Sequence, residues 1–115
     1  MNNMDSLALA QQARQALLEK KAINPVLLDV RTVSSVTDYY LVATGNSAPH
    51  LKALAEEVDH QLKAGGLEKR RRSGESHSGW MVLDCGSVVI HLFLPHTRDY
   101  YAIEELWNDA PRVEQ

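Results

Sequence analysis

The chain has 115 residues, with 12 Lys and Arg against 15 Asp and Glu, a formal net charge of −3 and a single cysteine. That length is enough for one domain with a core of its own. One cysteine excludes an intramolecular disulfide framework and a four-cysteine zinc site and fits a reducing compartment, and the acidic balance argues against bulk attraction to nucleic acid.

No apolar run approaches a membrane span, and the N-terminus lacks the basic-then-apolar layout of a signal peptide. The expected location is therefore the cytoplasm, with no membrane partner. From Asp5 to Lys21, the residues Leu7, Ala10, Ala13 and Leu17 recur at helical spacing. Asp5 or Ser6 can cap the start, and Lys20 and Lys21 suit the negative end of the helix dipole. Asn24-Pro25 breaks this helix. Val26–Val30 reads as a first strand and Thr32–Thr37 as a turn or strand end. Tyr39–Thr44 reads as a second strand ending at Gly45-Asn46-Ser47.

Ser47 is a natural N-cap, and Pro49 falls in the first turn, where a missing N–H costs nothing. Leu51, Leu54, Ala55, Val58 and Leu62 then follow on one face of an amphipathic helix that Gly65-Gly66 ends. A short strand is expected at Leu67–Arg72 and a loop at Ser73–Ser78. Trp80–Leu83 and Val88–Leu94 flank Asp84-Cys85-Gly86-Ser87. Gly tolerates the turn geometry and Asp bonds its own turn backbone, so the pair reads as a β-hairpin. Val88–Leu94 is apolar on both faces apart from His91, as a strand in mid-sheet would be.

Pro95 closes the hairpin, and Thr97 can cap a last helix, Arg98–Trp107, with Tyr100, Ile103 and Trp107 on one side. Arg112–Gln115 reads as a loose tail. The order α-β-β-α-β-β-β-α predicts an α/β (α+β) domain, with a mixed sheet of about five strands flanked by helices. The single domain spans 1–115, with an ordered core over about 4–108.

The hairpin presents Trp80, Val82 and Asp84 to one side and Met81 and Leu83 to the other. An apolar stripe usually packs, so core is the first reading of the Trp80 face. Five histidines raise the question of a metal. The spacings His50/His60, His77/His91 and His91/His96 match no common ligand pattern, and His91 also fits a hydrogen-bonded core histidine. Cys85 and His91 share the hairpin, but no oxyanion hole or third orienting group accompanies them.

Three blocks match one family in order and spacing. They are Val36-Thr37-Asp38-Tyr39-Tyr40 running to Gly45-Asn46-Ser47; Gly79-Trp80 through Asp84 and Gly86 to His91; and Arg98-Asp99-Tyr100-Tyr101 running to Glu104-Glu105-Leu106-Trp107. Together they resemble the Iojap family, the bacterial ribosomal silencing factors, over nearly the whole chain. The resemblance implies a translation repressor that binds the large ribosomal subunit through its fourteenth ribosomal protein. It would sit where the small subunit docks, so that joining is blocked when nutrients run short. The fold implied is related to the nucleotidyltransferases. The chain departs from the family pattern at Ser76, where Gly is usual, at Cys85, where Tyr or Leu is common, and at Ser87, where Asp is common.

Nucleotidyl transfer is the rival that this fold suggests. It needs two or three carboxylates converging on Mg²⁺, usually from an Asp-x-Asp pair. No such pair exists here, Asp38 and Asp84 stand on separate strands, and a Ser N-cap accounts for Gly45-Asn46-Ser47 without a phosphate. A non-enzyme with no cofactor and no metal is expected.

A contact face needs an apolar centre ringed by polar groups. The candidates are Trp80, Val82 and Asp84, with His91 on the neighbouring arm. Glu75 and Asp84 are the acidic groups that would steer a basic ribosomal protein. Lys69-Arg70-Arg71-Arg72 is either a charged edge strand or, through residues such as Arg70 and Arg72, a minor contact to rRNA phosphates. Tyr100 and Trp107 either staple the last helix to the sheet or extend the contact surface. A homodimer through a partly apolar sheet face is a further option.

Overall fold

A helix with a side-chain cap opens the fold. In the computed structural model, which describes residues 5–67, 69–102 and 110–113, α1 (Ser6–Glu19) starts at Asp5, whose carboxylate accepts from the Ala8 N–H at 2.8 Å. Ser6 turns away and donates to Asp38 Oδ2 at 2.8 Å. The buried stripe is Leu9, Ala10, Ala13, Ala16 and Leu17. Leu7, expected on that stripe, is exposed, because at about 100° per residue it lies roughly 120° around the helix from Ala13.

The chain then runs through β1 (Ile23–Asp29), β2 (Tyr39–Thr44), α2 (Ala48–Ala64), β3 (Arg71–Glu75), a 3₁₀ turn (Ser76–Ser78), β4 (Trp80–Asp84), β5 (Val88–Phe93) and α3 (Pro95–Tyr101). The strands form one mixed sheet in the order β1-β2-β5-β4-β3. β2 and β5 pair in parallel, and the other pairs are antiparallel. β5 is central, as its two-sided apolar pattern predicts. α1 and α2 cover one face, and there Leu27, Leu41, Leu51, Leu54, Val58, Met81, Leu83, Ile90 and Leu92 pack into the main core. Ser47 caps α2 by accepting from the His50 N–H, and Pro49 stands in its first turn.

Four expectations shift. β1 begins at Ile23 rather than Val26, and Asn24-Pro25 forms an irregularity inside the strand instead of a break before it. β3 occupies Arg71–Glu75 instead of Leu67–Arg72. Its place is set by pairing with β4, which aligns Arg71 with Asp84 and Glu75 with Trp80. α3 begins at Pro95, with Leu94 as the cap residue, so Thr97 lies inside the helix. Its expected continuation to Trp107 lies outside the described residues, as does Trp107 itself.

The fourth concerns the tail expected to be loose beyond Pro111. Pro111 O accepts from Asp29 N at 2.9 Å, Val113 N donates to Leu27 O at 2.8 Å, and Arg14 Nη1 donates to Val113 O at 2.9 Å. These residues pair along the outer side of β1, satisfying backbone groups that an edge strand leaves open. Ala110 also joins Val26, Leu28 and Val30 in a small second core on the sheet face opposite α1 and α2.

Candidate functional site

Register decides what shares the face opposite α1 and α2. Glu75, Trp80, Phe93 and Thr44 form one cross-strand row; Ser73, Val82, His91 and Val42 form the next; Arg71, Asp84, Val89 and Tyr40 form the third. Directly opposed residues point the same way. Trp80, Val82, Asp84 and His91 are thus brought onto one surface, with Glu75 at its edge. Trp80 and Val82 are half-buried, His91 is buried, and Asp84 and Glu75 are exposed.

Aromatic rings dominate the centre. The Trp80 ring centroid lies 4.5 Å from that of Tyr101, 5.2 Å from Phe93 and 5.9 Å from His91. His91 in turn lies 5.4 Å from Tyr40 and 6.2 Å from Phe93. These are the separations at which rings attract beyond simple burial. The Trp80 indole N–H donates to His91 Nδ1 at 3.2 Å. Burial lowers the His91 pKa to about 4, so the ring is neutral at physiological pH. Tyr40 is raised above its ordinary value by burial and then by the charge of Asp84.

Phe93, Tyr101 and Tyr40 belong to this cluster and were not among the expected site residues. Phe93 was within reach of the pattern, since it alternates with His91 on the same face. Tyr101 was not, because its place depends on how α3 packs back against Trp80, a contact between residues far apart in sequence. Tyr100 is 81% exposed and meets Tyr101 edge-on at 5.0 Å.

The basic run divides. Arg70 donates to Asp59 Oδ1 of α2 at 2.5 Å and to Leu67 O at 2.9 Å, so it faces the helix side. Arg72 pairs with Leu83 in register and shares that side. Arg71 is the member that shares a face with Asp84 and Trp80. Leu67, Lys69, Arg70, Arg71, Asp84, Cys85 and Gly86 line a cleft of about 640 Å³ at this corner.

Asp38 is engaged by Ser6, and Asp84 accepts from Gly86 N at 2.9 Å within its own turn. Among the described residues, no group of three His, Cys, Asp or Glu is placed to hold a metal ion. Cys85 packs in the helix-side core, where burial raises its thiol pKa to about 11, while His91 lies on the other face. The two therefore form no nucleophile–base pair. No helix among the described residues is long and apolar enough to cross a membrane.

The family model described as "Ribosomal silencing factor during starvation" matches residues 3–115. A ribosomal silencing factor from Halalkalibacterium halodurans is 37% identical over 111 residues, covering 96% of this chain and 95% of that protein. A crystal structure of a Chromobacterium violaceum protein superposes with a TM-score of 0.88 at 36% identity, covering 91% of this chain and 88% of that one. A mouse protein named for mitochondrial assembly of the ribosomal large subunit is 32% identical over 95 residues, 80% of this chain and 42% of that protein. The chain belongs to the ribosomal silencing factor family.

Proposed function

We propose that this chain represses translation in the cytoplasm by binding the large ribosomal subunit through its fourteenth ribosomal protein. Bound there, it would block joining of the small subunit sterically when nutrients are limiting. One observation carries the reading: a half-buried Trp80 at the centre of an aromatic face, with Glu75 and Asp84 exposed at its margin. A ring cluster of this kind excludes water and supplies binding energy, and marginal carboxylates steer a basic partner and set its register. The name of the mouse relative, which refers to the large subunit, points to the same partner.

The reading is non-catalytic. It asks of Trp80, Val82 and His91 a shape and a dry surface, and of Glu75 and Asp84 a charge. Within the basic run Lys69–Arg72, from which a minor contact to rRNA phosphate is expected, Arg71 is the cation that shares the face of Asp84 and Trp80. Co-sedimentation of the purified protein with isolated large and small subunits tests the proposal. Pelleting with the large subunit alone is the expected result, and equal pelleting with both or with neither would refute it.

A further inference from the structure

The Asn24-Pro25 step puts two residues of β1 opposite Ala43 alone, because Ile23 pairs with Thr44 and Val26 with Val42. Pro25 has no N–H to give the ladder, and Asn24 sits in the left-handed region at φ 49°. Prolines inside sheets are confined to edges and bulges of this kind. The bulge leaves backbone carbonyls turned out of the ladder, and a cation from the last helix meets them. Arg98 Nη1 donates to Asn24 O at 2.9 Å and to Thr44 Oγ1 at 2.9 Å, with Ile23 O at 3.5 Å. Arg98 is 9% exposed and Thr44 4%.

The preceding residue ties the helix on its other flank. Thr97 Oγ1 donates to Gly79 O, directly before Trp80, with Leu94 O also within reach at 3.0 Å. A Cβ at Gly79 would stand 2.8 Å from Thr97 Cγ2, so the approach needs glycine there. Two neighbouring side chains of α3 thus grip opposite ends of the row Trp80–Phe93–Thr44. Tyr101, three residues after Arg98 and on the neighbouring helix surface, lands on Trp80.

We propose that Arg98 is a positioning residue: by holding α3 on the β1 bulge it sets Tyr101 against Trp80 and fixes the outer half of the contact face. Its importance for binding rests on the reading that this face docks the large subunit, but the positioning itself is measured without a ribosome. The probe is the Trp80 indole N–H resonance in ¹⁵N-labelled protein, assigned with Trp80→Phe and followed in Arg98→Lys, Thr44→Val and Tyr101→Ala. Thr44→Val removes one acceptor of the guanidinium at nearly constant volume and serves if Arg98→Lys fails to fold.

Arg98→Lys or Thr44→Val, still melting cooperatively, is expected to move the resonance in the direction seen for Tyr101→Ala. In the Tyr101→Ala background the same substitutions should move it little further, the signature of action through Tyr101. An unmoved resonance in the folded single variants overturns the inference, and so does a full shift that persists without Tyr101. Large-subunit binding is read separately: Tyr101→Ala should weaken it roughly tenfold and Arg98→Lys roughly 3- to 10-fold. Unchanged binding by Tyr101→Ala would sink the docking reading while leaving the resonance to judge Arg98.

Discussion

Trp80 and His91 are joined diagonally across β4 and β5 by a hydrogen bond of 3.2 Å from the indole N–H to Nδ1. Because Nδ1 accepts, the neutral imidazole carries its proton on Nε2, which is buried without a hydrogen-bond partner among the described residues. Protonating Nδ1 would remove the acceptor that holds Trp80. Trp80 is thus held in place by a histidine that must stay neutral.

That requirement gives a pH dependence. The folded His91 pKa is about 4 against an ordinary 6.5. Below pH 6.5 the unfolded chain takes up a proton that the folded one refuses, so stability falls as pH drops from about 6.5 to 4. By pH 4.5 the loss due to His91 is on the order of 2–3 kcal/mol. Urea melts of the wild type and His91→Gln at pH 7 and pH 4.5 check this, and the variant should lose less by about that amount.

For binding, Trp80→Ala should weaken the large-subunit complex by about 2 kcal/mol or more, the scale of a hot-spot aromatic. Its half-buried packing on Phe93 and Tyr101 means that it also costs stability, and denaturant melts on the same protein separate the two effects. Asp84→Asn keeps an acceptor for Gly86 N and should leave stability within about 0.5 kcal/mol. Its effect should fall on association rate and salt dependence, read by stopped-flow at two ionic strengths.

Arg70 is assigned to the fold by its geometry. Its partner Asp59 is held below the ordinary carboxylate range by the Arg70 hydrogen bond, against the opposing effect of burial. That contribution is present at neutral pH and is lost as pH falls through the lowered Asp59 value. Arg70→Ala should cost about 1–3 kcal/mol at pH 7 and leave large-subunit affinity unchanged per folded molecule. Thermal melts and co-sedimentation check the two halves.

Gly74 tests the β3–β4 pairing. Its φ is +83°, and a Cβ there would lie 2.3 Å from Trp80 O. Ala cannot take that conformation without strain, and the backbone it would strike has little room to move. Gly74→Ala should destabilise by more than about 2 kcal/mol and loosen the strand that carries Trp80. Hydrogen exchange at Trp80 and Val82 should rise.

Much of this was legible in the chain. β2, α2 with its Ser47 cap, and the hairpin with its Asp84 turn all follow from strong local signals, periodicity and turn chemistry that agree with one another. Less so was anything decided by a partner strand. β3 is exposed at every residue, so no hydrophobic pattern marks it, and its position comes from the β4 register alone. Asn24-Pro25 reads locally as a break, yet pairing with β2 turns it into a bulge. The same limit applies to the site: Trp80, Val82 and His91 could be placed by alternation, whereas Tyr101 and the Arg98 contact depend on contacts far apart in sequence.

The central claim is that this face occupies the large subunit where the small subunit must dock. The most direct measurement mixes purified large and small subunits at low Mg²⁺ with rising amounts of protein and reads the yield of joined ribosomes on a sucrose gradient. The yield should fall with saturation, protein should migrate with free large subunits, and Trp80→Ala should shift the curve to higher concentration. An undiminished yield of joined ribosomes at saturating wild-type protein would contradict the account.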